Sequence, residues 1–293
     1  MILTPNMRGA GFMMASMAAF TFNDVCVKLL AGTLPLMQIV FLRGILTVGM
    51  MIGLARVMGL RRLTIPRGDR WLVAGRTGTE VASMVAFLIA LINMPIANVS
   101  AVMAALPLTV TLAGAVVLNE PVGWKRLSAI LVGMIGVLLI VQPGGDGFNA
   151  YSLVALIAVI LITAREMFTR RFSAEVPSMA VAVITALSVC AFGGIATLVT
   201  GEWAPVEPRA GALVAIAAVF IIGGYVFSIM VMRVGEIGFV APFRYTMLIW
   251  ALVLGWLVFG DWPNAFTQAG AVIVVATGVF TLYRERKVRQ GDG

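Results

Sequence analysis

Long runs of apolar residues dominate the chain and are separated by short polar segments. Ten runs are long enough for a helix to cross the hydrocarbon of a bilayer, which is about 30 Å thick. They cover residues 9–30, 35–57, 71–92, 97–118, 124–141, 150–169, 179–200, 210–232, 238–260 and 264–283. Strands of a transmembrane barrel are shorter and alternate in polarity, and these runs do neither. The pattern predicts an all-α integral membrane protein with ten transmembrane helices.

The same pattern occurs twice along the chain. Residues 97–141 return in degenerate form at 237–283, so that Glu120 and Asp261 each end an apolar run at an offset of 141 residues. Nearby offsets of 141 or 142 relate Asp24 to Glu166, Lys28 to Arg170, Gly114 to Gly255 and Gly136 to Gly278. Self-similarity of this kind indicates an internal duplication. We therefore expect two repeats, residues 1–142 and 143–293.

The number of spans in each repeat determines how the repeats are related. Five is an odd number, so the second repeat enters the membrane in the opposite orientation to the first. The expected architecture is a 5+5 inverted-topology repeat. In transporters built this way, the substrate site lies between the repeats near the middle of the membrane.

The basic residues predict the orientation, because short cytoplasmic loops collect Lys and Arg. With the N-terminus inside, 15 Lys and Arg residues fall in cytoplasmic segments and only Arg209 falls outside. The cytoplasmic set is Arg8, Arg56, Arg61, Arg62, Arg67, Arg70, Lys125, Arg126, Arg170, Arg171, Arg233, Arg284, Arg286, Lys287 and Arg289. Both termini are therefore expected in the cytoplasm. This bias also accounts for the formal charge of +8 without a nucleic-acid partner.

Composition supports the membrane assignment and argues against an enzyme. The sequence is 61% hydrophobic and 12% charged, whereas soluble domains are about 25% charged. Histidine is absent, Cys26 and Cys190 are far apart, and there is no phosphate-binding loop. We expect no catalytic residues, no metal site and no cofactor. An intramembrane enzyme or a structural subunit is a remote alternative.

Two motifs accompany the duplication. In the first copy, Pro107 lies within an apolar run that ends in Leu-Asn-Glu120-Pro, and Trp-Lys-Arg-Leu-Ser-Ala-Ile-Leu-Val-Gly133-Met-Ile-Gly136 follows. The second copy reads Val-Ala-Pro242-Phe-Arg244-Tyr245 and later Leu-Gly255-Trp-Leu-Val-Phe-Gly260-Asp261-Trp-Pro. This pattern resembles the EamA-type repeat of the drug/metabolite transporter superfamily, over essentially the whole chain. Asp261 departs from the pattern, which more often has Glu there.

The resemblance implies a bacterial inner-membrane transporter with ten helices and both termini inside. It also implies a central cavity built from spans one to four and six to nine, with spans five and ten at the periphery. Spans five and ten are rich in small residues and lack an interior charge. Small residues permit close helix approach, so these two spans are expected to face lipid or a second copy in a homodimer.

Eight ionisable residues lie inside the spans: Asp24, Lys28, Arg43, Arg76, Glu80, Arg165, Glu166 and Arg244. Each is costly in hydrocarbon, so by default it faces protein or water. Lys28 and Arg165 lie near span ends and are expected to extend toward the membrane surface. Glu80 lies near the middle of its span, one helical turn from Arg76. The two readings of Glu80 are a structural pair with Arg76 and a cavity carboxylate that carries a proton or holds a cationic substrate group.

The remaining candidate substrate-binding residues are arginines, polar residues and aromatics of the spans. Arg43 and Arg244 either form an anion-binding pair, or each neutralises an internal acid such as Asp24 or Glu166. The other candidates are Asn23, Asn98, Ser100, Tyr225, Tyr245 and Trp250. Each has the alternative of packing within the helix bundle or bonding to a neighbouring helix.

The expected function is secondary transport of a small polar or amphipathic metabolite by alternating access. Three acids and five bases inside the spans favour an amino-acid-like zwitterion or an anion. Protons or a counter-substrate are the candidate coupling partners. The alternative is import of a larger aromatic or cationic compound, such as a vitamin, a nucleoside-like molecule or a drug, against an aromatic and methionine wall.

Overall fold

A computed structural model describes residues 4–57, 64–120, 122–144, 148–234 and 236–289. Among the basic loop residues, Arg61 and Arg62 lie outside the described residues, as do the side chains of Arg286, Lys287 and Arg289. Pro121 of the first motif also lies outside them. Within the described ranges, ten helical segments are long and apolar enough to cross a membrane. The prediction of a ten-helix integral membrane protein is confirmed.

The helices follow the predicted spans closely. They are α1 (Pro5–Leu30), α2 (Leu36–Val57), α3 (Arg70–Asn93), α4 (Ile96–Met103), α5 (Leu106–Val117), α6 (Trp124–Val141), α7 (Tyr151–Arg170), α8 (Ser178–Thr200), α9 (Pro208–Val234), α10 (Ile237–Val240), α11 (Thr246–Leu254) and α12 (Ala265–Arg289). Short 3₁₀ segments cover Arg67–Asp69 and Ala241–Tyr245, and a π-helical turn covers Gly255–Phe259. The fourth span thus consists of α4 and α5. The ninth consists of α10, α11 and the two irregular segments next to α11.

Proline residues mark where several helices begin. Pro5 occupies the first turn of α1, where the Thr4 side chain accepts a hydrogen bond from the Met7 N–H. Pro95 and Pro177 directly precede α4 and α8. Proline suits these positions because its fixed φ is helical and the N–H that it lacks would have no partner in the first turn.

Helix pairing shows the relation between the repeats. The pairs α1–α9 and α3–α7 each join one helix of the first repeat to one of the second, and the repeat symmetry exchanges them. The pairs α2–α8, α4–α11 and α6–α12 join equivalent helices. The packing is therefore that of a 5+5 inverted-topology repeat, as the duplication predicts.

The ends of the fourth and ninth spans repeat the same backbone turn. Asn119 and Gly260, which are equivalent in the duplication, both have positive φ, at 55° and 70°. The next residue closes the turn in each case, since the N–H of Glu120 donates to the Gly114 carbonyl and that of Asp261 to the Gly255 carbonyl, both at 3.1 Å. Glycine and asparagine are the residues that tolerate this left-handed backbone best. Both copies of the motif thus have one conformation.

Hydrogen bonds between loops show which segments lie on the same membrane face. We call the face where α1 begins and α12 ends the terminal face. There the Ser173 hydroxyl donates to the buried Asp69 carboxylate at 2.7 Å, and the Glu236 N–H donates to Asn6 at 3.0 Å. These contacts join segments that the alternating course of the helices places on one side.

We call the other side the opposite face. The buried Gln38 amide makes two hydrogen bonds with the backbone of Ala204 there, at 2.7 and 2.9 Å. Gln142 donates to the Asn264 side chain at 2.9 Å on the same face. Both faces are therefore held by contacts between the two repeats.

Helices α6 and α12 cross at close range. A Cβ added at Gly136 would lie 2.9 Å from the Gly270 carbonyl oxygen, so no larger residue fits at this crossing. The small residues predicted for spans five and ten thus serve this contact within the chain. Large apolar side chains face outward instead, for example Leu131, Ile135 and Val272. The predicted homodimer through these spans stays a prediction.

Candidate functional site

A cavity of about 270 Å³ lies between the repeats. Six of the ten predicted site residues line it: Asn23, Asp24, Arg43, Glu80, Arg244 and Tyr245. The other lining residues are Met17, Phe20, Ser83, Met84, Phe87, Leu88, Met103, Ala104, Leu106, Pro107, Ile162, Arg165, Ile221 and Met247. An apolar wall with a few convergent polar groups is typical of small-molecule sites.

The other four predicted site residues lie outside the cavity lining. Asn98 lies on α4 and Trp250 on α11, both half-buried, and Ser100 is buried. Tyr225 packs edge-to-face against Phe20, with 5.5 Å between ring centroids. The structure thus brings together the four predicted charged residues and leaves four of the six neutral candidates outside the lining.

Glu80 is engaged by two arginines. Arg165 donates from Nη1 to Glu80 Oε2 at 2.8 Å, and Arg76 Nη2 lies 3.7 Å from the same oxygen. Arg165 also donates from Nη2 to Glu166 at 2.5 Å, while Arg76 donates to the Thr185 hydroxyl at 2.7 Å. These contacts link α3 of the first repeat to α7 and α8 of the second. The carboxylate is both part of the cavity and part of an interhelical ion-pair network.

The prediction that Arg165 extends toward the membrane surface is wrong. Its guanidinium turns into the bundle because two carboxylates lie within reach there, and charge-assisted hydrogen bonds are stronger than those to neutral groups. Lys28, in contrast, remains near its span end, where its ammonium donates to the carbonyls of Leu91 and Met94 at the end of α3. Closeness to a helix end thus predicted the position of Lys28 correctly and that of Arg165 wrongly.

An amide connects Arg43 to Asp24. Arg43 is buried and donates from Nη1 to Asn23 Oδ1 at 2.9 Å, and Asn23 donates from Nδ2 to Asp24 Oδ1 at 3.0 Å. Only one orientation of the Asn23 amide satisfies both partners, since arginine is only a donor and an ionised carboxylate only an acceptor. Arg43 is therefore connected to an internal acid, Asp24, through the Asn23 amide, which is the second of the two alternatives for Arg43 given above.

Arg244 differs from the other arginines of the cavity. Its side chain lines the cavity, and within the described part of the chain it makes no hydrogen bond or close ion pair. Glu166 is the acid that acts most strongly on its charge. Neighbouring Tyr245 is buried, with its hydroxyl likewise unpartnered among the described residues. A buried polar group without a partner is unusual in a protein interior. The cavity thus presents the Arg244 guanidinium, whereas the Tyr245 hydroxyl is enclosed against Gly278 of α12.

Both helices that carry this part of the cavity are irregular at equivalent positions. The fourth span breaks at Ala104–Ala105, between α4 and α5, and Pro107 follows the break. At an offset of 141 residues, the 3₁₀ segment Ala241–Tyr245 gives way to α11. Proline lacks the N–H that would bond to the preceding turn. Interruptions at corresponding points of two inverted repeats mark the binding region in many transporters.

Comparison with known proteins agrees with this architecture. The model of the EamA-like transporter family matches residues 7–142 and 149–283. The chain belongs to the EamA-like transporter family. Each match covers one set of five spans, so the two halves of this EamA-like transporter are two copies of the family's domain.

Characterised relatives extend over most of the chain. The S-adenosylmethionine uptake transporter of Rickettsia conorii is 22% identical over 284 residues, covering 95% of this chain and 94% of the relative. The pseudopaline exporter CntI of Pseudomonas aeruginosa is 28% identical over 290 residues, covering 95% and 97%. The riboflavin transporter of Vibrio cholerae is 28% identical over 189 residues, covering 62% and 60%. This EamA-like protein is therefore a multi-pass membrane transporter.

A solved crystal structure shares the fold of this EamA-like transporter. It aligns with a TM-score of 0.63 over 93% of this chain and 98% of its own, at 19% sequence identity. At that identity the likeness concerns the fold alone.

Several lining residues of this EamA-like transporter have no signal in the sequence. Arg165 is the exception, because a buried charge in a span is a candidate by default. The apolar part of the wall, including Phe20, Met84, Phe87 and Met103, consists of the same residue types as the lipid-facing surface. Spans that are apolar on every side do not reveal which side faces the cavity.

Proposed function

We propose that this protein is a secondary transporter that moves a small amphipathic metabolite across the bacterial inner membrane by alternating access. An amino-acid-like zwitterion, or an anion, is the favoured substrate class. The observation that carries the proposal is the Arg244 guanidinium, which makes no hydrogen bond or close ion pair with any described residue, in a cavity whose other arginines are engaged.

The charges of the cavity support a carboxylate ligand. Arg165 is matched by Glu80 and Glu166, and Arg43 is connected to Asp24 through an amide. Among the described residues, Arg244 is left as the cavity arginine without a hydrogen bond or close ion pair, with Glu166 within electrostatic range. Arginine presents a planar fork of donors that fits a carboxylate with two parallel hydrogen bonds.

Asp24 supports the zwitterion within this class. Its carboxylate accepts one hydrogen bond, from Asn23, and has no ion-pair partner in the part of the chain that the structure describes. We infer that the remaining acceptor capacity binds an ammonium group of the substrate. Glu80 is assigned a positioning role, because its carboxylate is already engaged by Arg165 and Arg76.

The apolar wall supports an amphipathic substrate. Two phenylalanines and four methionines surround the polar groups: Phe20, Phe87, Met17, Met84, Met103 and Met247. Methionine is flexible and polarisable, so such a wall adapts to side chains of different shape. A hydrocarbon or aromatic portion of the substrate therefore packs here while its charged end lies at Arg244.

The alternative substrate class is a larger aromatic or cationic compound. The cavity of about 270 Å³ is small beside the range of roughly 300–1,000 Å³ found for drug-sized ligands. Trp250, which would contribute to an aromatic cage, lies outside the lining. Both observations favour the smaller substrate. The relatives named above are described as carrying three different compounds, so family membership does not select among them.

In this proposal, residues 1–142 and 143–293 are the two units that move against each other, and both termini are cytoplasmic. Transport in this proposal is driven by a proton gradient, by exchange against a counter-substrate, or by the gradient of the substrate itself.

The decisive experiment measures flux of a labelled panel into proteoliposomes. The panel contains neutral amino acids, monocarboxylates, an aromatic vitamin and a quaternary amine, each with and without a pH gradient and with and without internal substrate. We expect saturable uptake of zwitterions or carboxylates and none of the quaternary amine. Uptake of only the vitamin or the amine would overturn the substrate class, and absence of any saturable flux would overturn the transport proposal for this panel.

A further inference from the structure

An ion pair joins the two repeats at the terminal face. Arg170, at the end of α7, donates from Nη1 to both oxygens of Glu120, at 2.7 and 2.9 Å. Glu120 follows α5 and belongs to the first repeat, whereas Arg170 belongs to the second. The contact is tightly packed, since a Cβ at Gly114 would lie 2.6 Å from a Glu120 carboxylate oxygen. The pair therefore holds the two repeats together at this face.

The duplication places an equivalent pair of residues at the opposite face. Asp261 corresponds to Glu120 in sequence and in backbone, because each follows a left-handed residue and donates its N–H to the carbonyl six residues earlier. Lys28 corresponds to Arg170 at an offset of 142 residues. Again one residue belongs to each repeat. The charges have the same signs in the same places.

In the structure this second pair is not formed. The Lys28 ammonium donates to the carbonyls of Leu91 and Met94, within its own repeat. No ion pair joins it to Asp261 in the described ranges. The ammonium nevertheless lies 5.3 Å from the ring centroid of Phe259, two residues before Asp261. The Asp261 charge also acts on the Lys28 ammonium, so the two groups already lie within electrostatic range of each other.

We propose that Lys28 and Asp261 are the gate residues of the opposite face. Their ion pair forms when the cavity closes on that side, and the Glu120–Arg170 pair separates as the terminal face opens. The proposal rests on alternating access, as given in the proposed function, and not on the identity of the substrate. It assigns to Lys28 a role that its present contacts with α3 do not show.

Inverted repeats supply the physical reason for this exchange. Each repeat adopts two conformations, and interchanging them between the repeats converts a protein open to one side into one open to the other. A contact found between two repeats at one face is then expected between the equivalent residues at the other face in the second state. The Lys28 ammonium exchanges two neutral carbonyl acceptors for a carboxylate, and charge-assisted hydrogen bonds are the stronger kind.

Paired cysteines provide the test. In a background with Cys26→Ala and Cys190→Ala, the variants are Lys28→Cys with Asp261→Cys, and Glu120→Cys with Arg170→Cys. Met84→Cys, in the cavity wall, serves as the reporter for an impermeant maleimide applied to right-side-out or inside-out membrane vesicles.

We expect the oxidised 28–261 pair to lower reporter labelling from the opposite face at least tenfold and to preserve labelling from the terminal face. The oxidised 120–170 pair has the reverse effect. Gln142→Cys with Asn264→Cys is the matched control, because it cross-links α6 to the start of α12 on the opposite face, outside the cavity, and leaves both labelling rates unchanged. Cross-linking of 28 to 261 without a sided change in labelling overturns the proposal, and so does failure to cross-link where 120 and 170 do.

Charge reversal tests the same assignment without a cross-link. Asp261→Lys places two cations at the opposite face, so the reporter is expected to stay accessible from that side and to lose labelling from the terminal face at least fivefold. Lys28→Asp combined with Asp261→Lys restores labelling from both sides. If the double variant behaves like the single one, the gate assignment is wrong. Because labelling needs no substrate, this result is independent of the flux panel.

Discussion

Arg165 of the second repeat donates a hydrogen bond of 2.8 Å to Glu80 of the first, within a cavity that both residues line. The pair crosses the boundary along which we propose that the two repeats move. Both side chains are about four-fifths buried. A pair in this position both neutralises two costly charges and fixes the contact between α3 and α7.

A double-mutant cycle measures this pair. We expect Glu80→Gln and Arg165→Gln each to lower the free energy of unfolding by about 1–3 kcal/mol, because each leaves a partly buried charge with fewer partners. The double variant should be less damaged than the sum, with a coupling of about 1 kcal/mol. Thermal unfolding in detergent, with Arg209→Gln as an exposed control, provides the measurement. Additive effects would show that the contact does not contribute to stability.

Arg244 is expected to determine the affinity for the carboxylate. Its replacement by Gln should weaken binding by roughly tenfold to a hundredfold, since a charge-assisted hydrogen bond contributes about 1.5–3 kcal/mol. Arg244→Lys keeps the charge but loses the planar fork, so an intermediate loss is expected. Isothermal calorimetry or scintillation proximity with the substrate found in the panel gives the values. Unchanged affinity in Arg244→Gln would remove the guanidinium from the site.

Asp24 distinguishes a zwitterion from an anion. Asp24→Asn is nearly isosteric and should weaken binding of an amino acid about tenfold, while binding of the matching carboxylate without the amino group changes less than twofold. The reason is that only the former places a positive charge at the carboxylate. Competition between the two ligands in wild-type and variant protein measures this difference. Equal losses for both ligands would indicate that Asp24 acts through Asn23 and Arg43.

Gly278 and Tyr245 form a steric pair between α12 and the ninth span. A Cβ at Gly278 would overlap the Tyr245 hydroxyl, so Gly278→Ala should lower the free energy of unfolding by about 1–3 kcal/mol. Tyr245→Phe in the same protein should recover part of the loss, because the hydroxyl is the nearest atom. Gly223→Ala is the control, since its Cβ meets nothing within 4 Å. Equal stability of Gly278→Ala and Gly223→Ala would contradict the contact.

Cysteine labelling decides the orientation in the membrane. With both termini cytoplasmic, Gly59→Cys reacts from the cytoplasmic side, and Gly145→Cys and Arg209→Cys react from outside. Gly59 and Gly145 lie outside the described residues, so the expectation for them comes from the basic residues of the loops. Reaction of any one position from the other side would contradict the predicted topology.

The sequence was sufficient to predict the spans and the duplication because both depend on patterns that survive divergence. Hydrocarbon thickness imposes span length, and the turn at Asn119 and Gly260 requires residues that accept positive φ. The pairing of α1 with α9 and of α3 with α7 could not be read from the sequence, because it depends on how helices of similar composition pack.

The site was harder to predict from the sequence for a related reason. Asn23, Asp24, Arg43, Glu80 and Arg244 were candidates because polar groups in hydrocarbon are costly. The rotation of each helix, which turns these side chains toward the cavity, leaves no trace in spans that are apolar all round. Arg165 shows the limit most clearly, since its depth alone suggested the membrane surface.

The two copies of the turn that ends the fourth and ninth spans are alike in backbone but unlike in chemistry. Identical repeats would make the inward-facing and outward-facing forms degenerate, with equal free energies. Here the fourth span ends in asparagine and glutamate, and the glutamate pairs with an arginine. The ninth span ends in glycine and aspartate, and the equivalent cation is a lysine. Each such difference lifts the degeneracy, and every 1.4 kcal/mol changes the ratio of the two populations about tenfold. In the proposed alternating access, divergence between the two repeats thus determines which of the two forms is more populated in the absence of substrate.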